Sequence, residues 1–388
     1  MPRTPEGLEL ALDDSVSTAT EAEWDKLVGD GSPFVEWAWL RAMETSGAVD
    51  PDKGWMPQIL TARRDGELVG AIPLYVKGHS YGEYVYDWAW ADVARRLGRP
   101  YYPKLIGASP FSPVTGPRIL VSPDLLEEER EAVFEALIAT AVRACEDNGI
   151  HGLHLLFVSS KIADSLGERG MIVRQAHQYH WKNDGYASFD DFLARFRSKR
   201  RRELRRERRR LAESGYSVHP VRGPDLTVAE MDAVFRFYAS TCEKYMWGRR
   251  YLDRDFFAEI HRTMPERIVA MLAKDPDGKI VAGAFCLEKG DRLYGRYWGC
   301  DEDVPFLHFE TCFYKPIEYA IERGLKVMEP GAGGDHKFVR GFQPVTMYSG
   351  HWIADPVLAG VLAQATERES RMVDETVEHL CEVSPIRT

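Results

Sequence analysis

A chain of 388 residues, 44% hydrophobic and 28% charged, has the composition of an ordinary globular protein and suits two domains, each burying its own core. No apolar run approaches the ~18 residues of a membrane span, the polar opening Met1–Gly7 lacks the apolar core of a secretion signal, and six scattered cysteines without a C-x-x-C pair or zinc-spaced histidines predict a reducing, cytoplasmic setting and no metal. The net charge of −10 hides a local +9 between Arg195 and Arg210, eleven Arg or Lys against Glu203 and Glu207, so the remainder carries −19.

Helices are expected first at Glu21–Val28 and around Phe34–Ser46. From Gln58 to about residue 90, two apolar runs joined at Asp65-Gly66 and a Lys77-Gly78 turn into Tyr81, Tyr84 and Trp88 predict three antiparallel strands. Tyr101–Arg118 carries Pro103, Pro110, Pro113 and Pro117, which predicts an ordered loop without a regular helix or central strand. Glu127–Asn148 is an amphipathic helix with Val133, Leu137, Ala141 and Ala144 on one stripe, Gly152–Val158 is a buried strand, and Trp181–Tyr186 is a further candidate strand. Ser188 caps a helix that is expected to run through the arginine block to Ser214-Gly215, as a basic joint over 188–215 between domains 1–187 and 216–388. Beyond it come helices at 227–246 and 253–263, a second three-stranded meander at 268–300, a helix from Pro305 to Arg323, a short strand Lys326–Glu329 and a glycine-rich loop.

Gly66–Gly78 and Gly278–Gly290, 212 residues apart, align without a gap, and the runs on either side align with them. The repeat predicts two similar domains. Helices, three antiparallel strands, helix and strand is the order of the Gcn5-related N-acetyltransferase fold, in which two central strands splay to admit an acyl donor. The expected fold class is therefore α/β (α+β): tandem duplicated domains of that type, with mixed, largely antiparallel sheets flanked by helices.

Candidate chemistry is densest over 293–352. His308, Glu310 and His336 are the candidate general bases for a substrate amine. Arg296, Lys337 and Arg340 are the cations that would orient anionic parts of donor or acceptor, with Tyr297, Tyr314 and Glu329 beside them and Tyr101, Tyr102 and Lys104 contributed by the proline-rich loop. Glycines at 331, 333 and 334 allow close approach of backbone amides to a ligand, which suits an oxyanion. The same features have plainer readings: a core histidine at 308, an ion pair from Arg296 to Glu310 or Glu329, and a structural glycine loop that lacks the P-loop Gly-Lys-Ser/Thr ending.

At these residues the chain resembles the FemAB-like "peptidoglycan biosynthesis/recognition" family of the acetyltransferase superfamily. The resembling strings are Tyr81–Asp92, Tyr101–Lys104 with Pro110–Arg118, Tyr294–Gly299, Leu307–Glu310 and His336–Pro344, and the likeness extends from about 15 to 385. It implies an N-acyltransferase that passes an acyl or aminoacyl group to a small-molecule or peptide amine, without a tightly bound cofactor. The co-substrate is acyl-CoA or aminoacyl-tRNA. Better-known Fem-type relatives, similar in architecture only, use aminoacyl-tRNA; by that analogy Arg200, Arg201, Arg205, Arg208 and Arg209 would hold a tRNA backbone. The alternative is a non-catalytic peptide, glycan or nucleic-acid binding protein, with Tyr84, Tyr86, Trp88, Trp90, Tyr101 and Tyr102 as stacking surfaces, or a basic helix that only pairs with acids of its own domains.

Overall fold

The computed structural model describes residues 7–244 and 249–387, as two compact units: the chain up to Ala176 with Thr346–Asp374, and His177–Val345 with Glu375 onward. The strands of the first half are β1 (Leu8–Asp13), β2 (Met56–Arg64), β3 (Glu67–Lys77), β4 (Lys104–Gly107), β5 (Leu120–Val121) and β6 (Gly152–Val158). Then follow β7 (Ile172–Lys182), β8 (Ser217–Arg222), β9 (Ile268–Lys274), β10 (Ile280–Lys289), β11 (Arg292–Cys300), β12 (Val327–Glu329) and β13 (Gln343–Ile353).

The pairings repeat strand for strand. In the first unit β1, β2, β3 and β4 pair antiparallel in turn, β4 pairs parallel with β6, and β6 pairs antiparallel with β13. In the second, β8 to β11 pair antiparallel in turn, β11 pairs parallel with β12, and β12 pairs antiparallel with β7. The two hairpins at the heart of the expected meanders thus sit in one repeated six-strand pattern, to which the first unit adds β5 beside β3. Each sheet takes its sixth strand from the far side of the chain, β13 for the first and β7 for the second. A single division at 188–215 is therefore not how the chain partitions.

Local chemistry accounts for the element boundaries. Thr20 and Glu23 form a capping box at the start of Glu21–Val28. Asp65 and Gly66, both at positive φ, close the β2–β3 hairpin as an Asp-Gly pair can. At the β9–β10 turn the Asp275 carboxylate accepts from the amides of Asp277 and Lys279 instead. Val133, Leu137, Ala141 and Cys145 of the helix Glu127–Asp147 pack with β2, β3 and β6 residues in the first core. The second core joins Trp181, Phe192, Leu204, Leu211, Phe313 and Met328.

Four expectations need correction. The third strand of the first meander does not form: Gly82 and Tyr84 take positive φ, the segment turns inward, and a helix runs Trp88–Arg96. The third position is filled by β4, a fully buried central strand inside the stretch expected to be a loop, because Pro103 and Pro110 flank Lys104–Gly107 and leave its amides free for pairing. The basic helix is two helices, Phe189–Ala194 and Ser198–Glu213, broken where Phe196 bridges to Ile386. It is no joint, since Leu204 and Leu211 are buried in the second core. The helix expected at 227–246 is Val228–Lys244, and its last two expected residues lie outside the described ones. Strands β1, β8 and β13 and the helix Pro356–Glu382 add to the expected elements. Among the described residues no helix is long and apolar enough to cross a membrane.

Candidate functional site

In the second unit β11 and β12 stay paired over three positions only, Arg292 with Val327 to Tyr294 with Glu329. Beyond them β12 ends, with Glu329 its last residue before Pro330, while β11 continues to Cys300 on its β10 side. The two strands therefore part at Gly295. At that point β11 also bulges: Cys286 faces Gly295 and Phe285 faces Tyr297, which leaves Arg296 as the extra residue. Gly295, Arg296, Tyr297 and Trp298 are half-buried where the rest of the strand core is covered.

Glu329 closes the parallel pair. It is 1% exposed, its Oε1 accepts from the Arg292 guanidinium at 2.8 Å, and its Oε2 is buried without a hydrogen-bond partner. His180 Nε2 lies 3.9 Å from that oxygen, on β7, and burial holds the His180 imidazole below its usual range. Next along the chain, Gly331, Gly333 and Gly334 all take positive φ, as the run of glycines requires. Lys337 reaches back into this loop and donates to the carbonyls of Gly331 at 2.8 Å and Ala332 at 3.0 Å. Burial, with Arg296 nearby, lowers the Lys337 ammonium to about 8.

His308 and His336 come together, ring centroids 5.7 Å apart, with Phe309 and Phe313 around them. Burial first, then His336, Arg340 and Lys337, pushes His308 down to about 4, and His336 is lowered by burial, then by Lys337 and Arg340. Arg340 is committed elsewhere: it donates to Tyr314 Oη at 2.8 Å, pairs with Glu207 at 2.9 Å and lies over the Phe309 ring at 3.3 Å. Tyr314 in turn donates to Glu207. Glu310, expected as a base, accepts three hydrogen bonds from Arg208, at 2.7, 3.0 and 3.1 Å, so it is an ion-pair carboxylate. It lies in a π-helical turn, Glu310–Tyr314, inside the helix expected from Pro305 to Arg323. Tyr297 packs in an aromatic cluster with Tyr238, Phe257 and Phe285.

The expected nucleic-acid residues are largely occupied within the chain. Arg208 binds Glu310 and Glu318, Arg200 binds Glu203 and the Val339 carbonyl, Arg205 binds Asp190, Arg209 pairs with Glu213 at 3.5 Å, and Arg201 donates to the Ala194 carbonyl at 3.5 Å. Arg205, Arg208 and Arg209 line a cavity of about 580 Å³ with Asp190, Glu310 and Glu318.

Tyr101, Tyr102 and Lys104 also come together, in the first unit. Lys104 is 1% exposed and binds Glu83 at 2.7 Å and Asp87; Tyr101 donates to Asp87 at 2.6 Å, and Tyr102 shares a hydrogen bond with Ser80 at 2.7 Å. Lys77 adds a second cation 3.8 Å from Glu83 and 3.6 Å over the Trp55 ring. Burial works against charge on Asp87, but Lys104 outweighs it and brings the carboxyl down to about 2. On β6, burial lowers His154 to about 3, and its Nδ1 meets His351 Nδ1 at 2.6 Å.

Sequence reasoning missed His180, Arg292 and Glu207. His180 and Glu329 are brought together by the β7–β12 pairing, which leaves no local signal, and Glu207 reads as one acid in a basic helix. Among the described residues no cluster of three or more His, Cys, Asp or Glu is placed to hold a metal ion.

The FemAB-like family model, described as peptidoglycan biosynthesis/recognition, matches residues 15–388. Among solved structures the chain is similar to the crystal structure of FemX, at 14% identity over 89% of this chain and 98% of that one, with a TM-score of 0.55. It is also similar to a conserved protein of unknown function from Bacteroides thetaiotaomicron, at 12% identity over 88% and 99%, with a TM-score of 0.52. These likenesses show the fold, which is the tandem acetyltransferase-like architecture expected from the repeat. Among curated proteins, none matches the chain.

Proposed function

Because the chain belongs to the FemAB-like peptidoglycan biosynthesis/recognition family, we propose that it is an N-acyltransferase that moves an acyl or aminoacyl group onto the amine of a cell-wall peptide or related acceptor, with the chemistry in its second unit. The observation that carries this reading is the buried Glu329 carboxylate with one unpartnered oxygen, placed where β11 and β12 part.

In this reading the donor's carbonyl enters between the parted strands. The acceptor nitrogen attacks that carbon, gives a proton to Glu329 and forms the amide, while the C–O or C–S bond to the carrier breaks and the leaving oxygen or sulfur takes that proton from Glu329. Glu329 suits the base role better than the two residues expected for it. Glu310 is held by Arg208, and a His308 imidazole lowered to about 4 is a weak proton acceptor. Lys337 keeps one N–H beyond its two carbonyl bonds, and with Arg296 it supplies positive potential for the oxyanion.

The test supplies a labelled acyl-CoA or aminoacyl-tRNA with a lysine-containing peptide and follows label in the peptide. Wild-type transfer that falls roughly 10²- to 10⁴-fold in Glu329→Gln, at unchanged melting temperature, supports the assignment. Full transfer by Glu329→Gln removes Glu329 as the base. Absence of transfer from either donor removes acyl transfer itself.

A further inference from the structure

The sheet of the second unit ends at β8, which pairs with β9 from Ser217 with Lys274 to Arg222 with Val269 and has no strand on its other side. Residues of an antiparallel strand alternate between bonding the neighbour and facing away from it. Pro220 has no N–H to give, so it belongs to the outward row, and Val218 and Arg222 join it by the same alternation. The register agrees. Asp275 donates its amide to Lys279 across the β9–β10 turn, which points the backbone of the preceding residue, Lys274, at Ser217. Among the described residues no hydrogen bond meets the outward N–H and C=O of Val218. Such an edge is a template for another strand.

A groove runs along this edge. The cavity of about 580 Å³ is touched by Tyr216, Ser217, Val218 and His219 in succession. Successive side chains of a strand point to opposite faces, and Val218 is buried while Ser217 and His219 are exposed. A space that meets all of them lies beside the strand, not over one face. Phe189, Leu193 and Leu211 give the groove an apolar wall, and Arg205 and Arg209 stand at its mouth. Arg205 is paired with Asp190, at 55% and 76% side-chain exposure, and Arg209 with Glu213 at 3.5 Å, at 69% and 65%. Pairs so exposed are worth little and yield readily to a better partner. The inner carboxylates, Glu310 and Glu318, are taken by Arg208 and Lys315.

An extended segment laid in this groove would complete the outward row of β8. Its side chains would alternate between the apolar wall and the arginines. Arg205 and Arg209 lie in the stretch 195–210, whose local charge is +9, so an acidic segment is favoured. The β8 of a second copy would bring the same positive charge to the same place and be repelled. Pro220 withholds one donor where the cavity also ends, so the paired segment is short, about four residues. With β9 and β10 in between, the groove is about 14 Å of sheet from β11.

We propose that the groove between β8 and the arginine-rich helix binds a short, extended, acidic segment of a partner protein by strand addition. The proposal stands apart from the acyl-transfer reading and does not depend on it.

The experiment measures fluorescence anisotropy of a fluorescein-labelled peptide, Glu-Val-Glu-Val-Glu-Val, with the full chain. Two further peptides carry N-methyl groups on all the glutamates or on all the valines, which keeps the charge and blocks one row of amides in each. An added strand turns one row toward β8 and the other toward solvent, so one methylated peptide should bind about tenfold more weakly and the other as the parent does. Replacing Arg205 and Arg209 together by Gln should weaken the parent peptide about fivefold. No saturable binding up to about 1 mM overturns the proposal. So does an equal effect of the two methylated peptides, or equal binding of Lys-Val-Lys-Val-Lys-Val. A dimer in analytical ultracentrifugation that excess peptide leaves intact would give the edge to a second copy and overturn it as well.

Discussion

The Arg208–Glu310 pair separates a structural from a catalytic role for Glu310. Three N···O contacts between 2.7 and 3.1 Å join the two groups, whose side chains are 24% and 10% exposed. At ~3 Å and an effective dielectric near 20, Coulomb attraction is roughly 5 kcal/mol, and desolvation offsets more than half of it, which leaves a net coupling of about 2 kcal/mol. Arg208→Met strands a nearly buried carboxylate and should cost about 3–4 kcal/mol. Glu310→Leu leaves Arg208 with Glu318 at 3.3 Å, so its cost should be smaller, about 2 kcal/mol. The double variant should be no worse than Arg208→Met alone. A double-mutant cycle on urea midpoints, followed by tryptophan fluorescence, reads the coupling directly. Costs that add within about 0.5 kcal/mol would refute the pairing argument. If the double variant also keeps whatever transfer activity the wild type shows, Glu310 is not the base.

Three further outcomes follow from geometry and charge. Gly299→Ala places a Cβ 1.9 Å from the Phe237 carbonyl oxygen, a backbone clash that should cost ~3 kcal/mol or more, whereas Gly295→Ala meets nothing closer than 3.4 Å and should melt near wild type in a calorimeter. Asp87 has a folded pKa of about 2, below its ordinary 3.8, so its contribution, roughly 2 kcal/mol, is present above pH 4 and lost as pH falls toward 2; urea midpoints for Asp87→Asn should lack that part of the slope. Lys337, lowered to about 8, binds fewer protons folded than unfolded between pH 8 and 10.5, so stability should rise with pH across that window and Lys337→Met should remove the rise.

Much of the fold was legible because the repeat is local. Two apolar runs around an Asp-Gly pair specify a hairpin wherever they occur, and β2–β3 and β9–β10 obey. What the sequence did not disclose depends on partners far along the chain. Glu83 and Asp87 look like polar residues in a strand until Lys104 and Lys77 appear as their buried counter-charges, and satisfying them turns the segment out of the sheet. Lys104–Gly107 looks like part of a loop because prolines surround it, yet a four-residue strand needs only its own four amides. At the candidate site, residues picked out of the 293–352 stretch do come together, His308 beside His336 and Lys337 against the glycine loop. Individual roles were not legible, since whether Glu310 or Arg340 is available depends on Arg208 and Glu207 from another helix.

The repeat also bears on which half does the chemistry. Both units place a parallel strand pair next to a meander, so both have the scaffold on which two strands can part. In the first unit β4 ends at its last parallel pair, Gly107 with Leu155, and it is β6 that runs on, three residues to Val158. The polar groups nearby bind one another through Lys104, Glu83, Asp87, Tyr101, Tyr102 and Ser80, although Glu83 Oε1 is buried without a hydrogen bond, with Lys77 at 3.8 Å. In the second unit β11 runs six residues past its last parallel pair, carries a bulge at Arg296 and leaves one Glu329 oxygen unpartnered. With the proposed reaction in the second unit, removing the Lys104 cluster should act on stability and removing Glu329 on turnover.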